Sequence, residues 1–287
     1  MYDCIVIGTG AAGVSAALTL KARGKNFVLL GSKNLSAKIE AAEEINNYPG
    51  LPAISGKGLK AALLNHLQSC GIAVTPAQVT GVYAMGESFS VLTDGQSYEG
   101  KTVILATGVE SVKPVAGELE FLGRGVSYCA TCDGLLYKGK KIVAVSTSPA
   151  FEEEVEYLSS LASSVVFVPL YKGAGLSAQN IQTVRDMPRA IEGDMRVRRV
   201  VFAKQTVECD GVFLLKEAIA PSALVPGLKT EGGHVSVSRD CSTNLKGLFA
   251  AGDCTGRPYQ YAKAVGEGNV AAHSVCEFLS LSDKDKK

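Results

Sequence analysis

The sequence predicts an α/β protein of two Rossmann-like (three-layer ββα) dinucleotide-binding-type domains, the second inserted into the first. Three observations predict it. The chain opens on a strand, a glycine-rich turn and a helix across residues 3–23. A second strand–helix–strand pattern recurs at 142–168, and an apolar run at 247–253 followed by a long helix reads as a return to the first domain. The implied boundaries are 1–112 with 240–287 for the first domain and 113–239 for the insert.

Residues 3–7 are an apolar, β-branched run, which reads as a strand buried on both faces. A helix follows to about Arg23, and residues 26–30 form the next strand, giving a βαβ unit. Tyr48-Pro49-Gly50 marks a turn, and 59–70 is a second helix. From 79 to 100 short alternating strands with glycine turns indicate an antiparallel insertion. Residues 102–105 return to a buried parallel strand ending in Ala106-Thr107-Gly108. The crossing into the insert is expected near Lys113-Pro114, with 142–145 as strand, 151–161 as helix and 165–168 as strand. Short strands run from 196 to 215, and the last helix reaches about Leu281.

Bulk properties narrow the function classes. Of the 287 residues 46% are hydrophobic and 20% charged, which excludes a disordered chain. A net charge of +1 gives no global field to recruit nucleic acid or an anionic membrane. No segment reaches the roughly 18 apolar residues of a membrane span, and no export signal is visible, so the cytoplasm is the expected compartment. Eight cysteines and three histidines are scattered, with Cys129 and Cys132 the one close pair, so neither a disulfide framework nor a metal site is expected.

Gly8, Gly10 and Gly13 complete a G-x-G-x-x-G pattern between the first strand and helix. Glycines there let the backbone approach a pyrophosphate, while the helix N-terminus at Ala11 and Ala12 offers free N–H groups and a positive dipole. The second strand ends in Leu30-Gly31-Ser32, with no acid for a ribose. Gly252 and Asp253 close the late apolar run. Cys129-Ala130-Thr131-Cys132-Asp133 places two cysteines at i and i+3 at a helix start, a spacing that suits an exchangeable disulfide with dipole-favoured thiolates.

These motifs, in this order, closely resemble low-molecular-weight thioredoxin reductases along essentially the whole chain. The resemblance implies FAD as cofactor, with the segments at Ala106-Thr107-Gly108 and Gly252-Asp253 closing its site. It also implies that Lys38, Ile39 and Asn47 lie in the flavin-contacting loop, and that Gln260, Tyr261 and Ala262 meet the flavin pyrimidine edge. Gly31 and Val79 complete the candidate cofactor set. By the same resemblance Cys132 accepts electrons from the flavin, Cys129 attacks the substrate disulfide of thioredoxin, and Asp133 manages the departing proton. A homodimer is implied as well. One departure stands in the loop, where Ser36-Ala37-Lys38-Ile39 replaces the usual Gly-Gly-Gln-Leu.

The insert departs further. Its strand leads into Ser146-Thr147-Ser148-Pro149, without glycine, and the next strand into Pro169-Leu170-Tyr171-Lys172, without the basic cluster that grips the NADPH 2′-phosphate in that family. Together with the runs at 252–258 and 262–268, this resembles the ferredoxin-dependent flavin thioredoxin reductases. The expectation is electron flow from reduced ferredoxin through FAD and the cysteine pair to thioredoxin. A ferredoxin near about −400 mV and a thioredoxin near about −270 mV leave roughly 6 kcal/mol for two electrons. Arg185, Arg189, Arg196, Arg198, Arg199 and Lys204 give the insert a cationic stretch that could face an acidic donor. Three readings stay open beside it: an NADPH-dependent thioredoxin reductase with a divergent loop, an FAD-dependent dithiol oxidase, and a flavin-bearing redox sensor.

Overall fold

The structure, a computed structural model, describes residues 1–40, 42–109, 115–176, 178–216 and 219–284. It divides into two compact units, Met1–Val109 with Ala220–Lys287, and Glu110–Ile219. The expected crossing at Lys113-Pro114 lies outside the described residues.

The first unit begins with Tyr2–Ile7 (β1), Ala11–Ala22 (α1) and Phe27–Gly31 (β2). A short helix at Ala37–Glu40 (α2) precedes Gly56–Ser69 (α3). α3 starts earlier than the sequence suggests because Ser55 caps it, accepting the Gly58 N–H at 3.1 Å. Val74–Pro76 (β3), Val79–Ala84 (β4), Phe89–Thr93 (β5) and Ser97–Leu105 (β6) follow. β6 serves two layers. Its first half, 97–100, pairs antiparallel with β5, and its second half runs parallel to β1. The alternating pattern at 79–100 is thus a meander, and the continuous apolar run after it is a buried parallel strand.

The second unit carries Val126–Ser127 (β7), a single helical turn at Ala130–Asp133 (α4), Lys141–Ser146 (β8), Glu152–Leu161 (α5), Ser164–Pro169 (β9) and Ile181–Thr183 (β10). Pro188–Gly193 (β11), Val197–Phe202 (β12) and Thr206–Glu208 (β13) form a separate antiparallel sheet. Gly211–Leu215 (β14) does not belong to that group, although the sequence pattern suggests it. It is buried throughout and joins a parallel sheet of order β10-β9-β8-β14-β7. Phe167, Phe213, Ile142 and Val155 form the core between this sheet and α5, and full burial of each phenylalanine stabilises by roughly 2–3 kcal/mol.

The chain rejoins the first unit at Ala220, earlier than the expected residue 240. Pro221–Leu224 (α6) packs on β4, and the hairpin of Thr230–Glu231 (β15) and His234–Val235 (β16) packs on the turn at Asp253–Thr255. Strands of two residues leave too little periodicity to be read from sequence. Leu248–Ala250 (β17) then pairs parallel with β6, giving a parallel layer β3-β2-β1-β6-β17. Tyr261–Lys284 (α7) lies along α1. No helix among the described residues is long and apolar enough to cross a membrane.

Candidate functional site

In the first unit β1 delivers Gly8 to the end of the parallel layer. Gly8 has φ +111°, and a Cβ there would lie 2.2 Å from the Ala106 carbonyl oxygen, so no side chain is admitted. A Cβ on Gly13 would meet the Gly8 carbonyl oxygen at 1.9 Å, which sets how closely α1 packs on the turn. Gly10 instead faces open space. It caps α1 without a side-chain hydrogen bond, and the first turn holds no acid. The N–H groups of that turn are therefore available to an external anion.

A cavity opens there, lined by Gly10, Ala11, Ala12, Ser36, Lys38, Ile39, Ala106, Gly108, Ala251, Gly252, Asp253, Tyr259, Gln260, Tyr261 and Ala264. Most candidate cofactor residues meet in it. Gly8 and Gly13 are outside the lining but pack against Ala106, which belongs to it, and Gly31 leaves room for Thr9, whose Cγ2 would stand 2.9 Å from an added Cβ. Thr107 places a buried hydroxyl beside the Cys254 thiol, without a hydrogen-bond partner of ordinary geometry among the described residues. Asn47, Val79 and Ala262 do not line it. Asn47 is exposed in its loop, Val79 starts β4 opposite Thr93, and Ala262 is half-buried on α7.

Among the described residues Asp253 is the one carboxylate of the lining. Burial pushes its pKa up, against the pull of Lys263 and Lys38. Its loop is held by a network that the sequence did not reveal. Lys263 Nζ donates to the carbonyls of Gly252 at 2.9 Å and Gly256 at 2.8 Å and pairs with Glu267 at 3.1 Å. Glu267 in turn accepts the Gly252 N–H at 2.8 Å. The i,i+4 spacing of Lys263 and Glu267 was the available signal. Tyr261 ties α7 to the flavin-loop candidates, its hydroxyl donating to the carbonyls of Lys38 and Ile39 at 3.4 Å each. Bare glycine and alanine main chain, a helix N-terminus free of acid and a half-buried carboxyl beside two cations fit a dinucleotide.

In the second unit Cys129 and Cys132 form a disulfide with Cα atoms 5.3 Å apart. Cys129 caps α4, its sulfur accepting the Cys132 N–H at 3.1 Å. Cys132 is exposed, whereas Cys129 is only 6% exposed. Ser127, also missed from the sequence, links the set. Its hydroxyl donates to Asp133 Oδ2 at 2.7 Å and accepts the Cys129 N–H at 3.1 Å. Leu135 and Leu136, just after the pair, are each 66% exposed.

The loop after β8 is filled by its own groups. Buried Ser146 donates to the Ser148 carbonyl at 2.8 Å, and Ser148 accepts the Ala150 N–H at 3.3 Å. The first turn of α5 carries Glu152, Glu153 and Glu154. Tyr171, after β9, donates its hydroxyl to Glu152 Oε1 at 2.8 Å, and burial with that bond pushes its pKa up to about 12. The cationic stretch is interleaved with acids: Arg199 pairs with Glu192 at 2.8 Å and Arg198 with Asp194 at 4.0 Å.

Residues 2–166 match the family model described as pyridine nucleotide-disulphide oxidoreductase. A thioredoxin reductase of Bacillus subtilis is 30% identical, over 97% of this chain and 95% of its own length. Among solved structures, a ferredoxin-flavin thioredoxin reductase from Clostridium acetobutylicum superposes with a TM-score of 0.92 at 43% identity, over 98% of each chain. A second from the same organism gives 0.87 at 46%, again over 98% of each. The chain belongs to the pyridine nucleotide-disulphide oxidoreductase family, as a flavoprotein oxidoreductase that carries FAD and acts on thioredoxin.

Proposed function

We propose that this thioredoxin reductase draws its electrons from reduced ferredoxin and not from NADPH, as a cytoplasmic homodimer. The observation that carries this reading is the self-filled loop of the second unit. Where a pyrophosphate would need bare main chain and free N–H groups, Ser146 and Ser148 bond to that loop and Tyr171 is anchored on Glu152. Three carboxylates in the first turn of α5 would also repel a phosphate. The likeness to two ferredoxin-flavin thioredoxin reductases supports the same donor.

FAD, when bound, supplies the means to take electrons singly and release them as a pair. Its holders would be the α1 N-terminus at Gly10, Ala11 and Ala12 for the pyrophosphate, and Lys38, Asp253, Gln260 and Tyr261 for the polar groups beyond it. Two electrons and two protons convert the Cys129–Cys132 disulfide to a dithiol. Cys129 as thiolate then attacks the thioredoxin disulfide and forms a mixed disulfide, and Asp133 protonates the departing thiolate. Cys132 attacks Cys129 Sγ and releases the second thiolate, restoring the starting pair. This assignment requires that the buried Cys129 be uncovered during turnover, while Cys132 is already open.

Anaerobic mixing tests the donor. Reduced ferredoxin should bleach the flavin absorbance within the turnover time, and NADPH or NADH should leave it unchanged. Rapid bleaching by NADPH would overturn the reading.

A further inference from the structure

A second polar cluster lies beside the redox pair, inside the second unit. Glu118 is 0% exposed and Lys216 is 4% exposed, and they form an ion pair at 2.7 Å. The Tyr128 hydroxyl donates to the same Glu118 Oε1 at 2.7 Å, and the Lys216 ammonium stands 5.7 Å from the Tyr128 ring centroid. The other carboxylate oxygen accepts the Val115 N–H at 2.9 Å. The cluster thus joins three distant points: the entry of the chain into the unit, the end of β14, and the residue directly before Cys129.

The strand it serves is weak by itself. β7 has only Val126 and Ser127, paired with Val212 and Phe213 of β14. Such a short edge ladder does little to fix the turn that comes after it. Lys216 continues β14 and Tyr128 continues β7, so their common bond to Glu118 extends the ladder through side chains. Ser127 and Tyr128 are successive residues of an extended segment and point to opposite faces. Ser127 holds Cys129 N–H and Asp133 from one face, and Tyr128 holds the chain from the other. A buried ion pair contributes little net stability compared with well-packed apolar groups. Geometry is the better account of why one sits here.

We infer that Glu118, Lys216 and Tyr128 form a positioning clasp for the redox disulfide, setting the main-chain geometry of Cys129 and through it the thiol–disulfide equilibrium of the pair. The inference rests on the redox role of the disulfide and not on the identity of the electron donor.

The test uses the FAD-loaded full chain equilibrated in glutathione redox buffers, with the dithiol and disulfide fractions trapped by alkylation. Tyr128→Phe removes one hydroxyl. The double variant Glu118→Leu/Lys216→Met replaces both charges together, so that no buried charge is left alone. Both should shift the exchange constant in the same direction by about three- to tenfold, the worth of one buried hydrogen bond. Turnover with thioredoxin should fall in kcat, with KM unchanged. If the double variant does not fold, Tyr128→Phe decides alone. A purely structural role would lower the melting temperature and leave the exchange constant within about twofold of the parent, and that result in Tyr128→Phe overturns the inference.

Discussion

The Ser127 hydroxyl donates to Asp133 Oδ2 at 2.7 Å while accepting the Cys129 N–H at 3.1 Å, so one small side chain orients the carboxylate proposed as the acid–base group against the redox turn. Asp133→Asn should lower kcat by about 10- to 100-fold, within the usual reach of a single acid–base group, and leave the flavin spectrum intact. Ser127→Ala should act more weakly, by about two- to tenfold, because it removes the orientation and keeps the carboxylate. Steady-state reduction of thioredoxin measures both, and parent rates in Asp133→Asn would refute its role.

The cysteines should separate by reactivity. Burial first of all pushes the thiols of Cys241 and Cys254 up to about 11 and those of Cys4 and Cys209 up to about 12. At pH 8 a thiol of pKa about 11 is thiolate in only about one molecule in a thousand. After reduction, alkylation of the native protein and then peptide mass spectrometry should find Cys132 modified first and half-buried Cys70 later, with these four cysteines protected until unfolding. Modification of native Cys254 as fast as Cys132 would contradict the burial described.

Much of this was legible in the sequence, and the divide is physical. Gly8, Gly13, Cys129 and Cys132 declare themselves because a close backbone approach or an i,i+3 thiol pair needs those residue types at that spacing. The βαβ units read well because buried parallel strands are continuous apolar runs. The clasp did not read, since Glu118 and Lys216 are 98 residues apart and nothing local marks their meeting. Ser127 drew no reading, because no local pattern marks it. Residues 220–239 were assigned to the insert because a hairpin of two-residue strands carries no period. Asn47, Val79 and Ala262 came from resemblance alone, and none of the three is among the residues that line the cavity.

Gly268 was read only as part of the run 262–268, and its packing role was not seen, although it fixes how α7 crosses α1. A Cβ there would lie 2.1 Å from the Ala12 carbonyl oxygen, in the first turn that borders the cavity. Gly268→Ala should destabilise by about 1–3 kcal/mol through overpacking and should loosen FAD, because relief requires α1 or α7 to shift. Thermal unfolding and flavin fluorescence on dilution report the two effects. An alanine variant with parent stability and undiminished FAD retention would show that the helices give way freely.

A pH dependence arises from Asp3, which joins β1 to β6 through Lys101 at 2.9 Å. Burial alone would raise its pKa, but the Lys101 and Asn26 hydrogen bonds hold the carboxyl below its ordinary value. A depressed native pKa contributes stability above the unfolded value, near about 3.9, and loses it as pH falls through the native one. Asp3→Asn should therefore be less stable than the parent by a constant margin at neutral pH, with the margin closing below about pH 4. Urea midpoints at several pH values measure it, and a margin that persists undiminished in acid would exclude the charge as its cause.

Leu135 and Leu136 put two exposed apolar side chains directly after the redox turn, in the short turn Gly134–Tyr137. Isolated exposed leucines need no explanation, but a neighbouring pair beside the chemistry is suited to contact with a protein substrate. Replacing both with serine removes apolar area that only a docked protein would cover. The double variant Leu135→Ser/Leu136→Ser should raise KM for thioredoxin by about tenfold, the effect of roughly 1.4 kcal/mol of lost burial, with kcat little changed. Reduction of a small aromatic disulfide by the same variant should proceed at the parent rate, because such a substrate needs no docking face. Equal losses with both substrates would place the damage in the cysteine pair itself and remove the leucines from the docking surface.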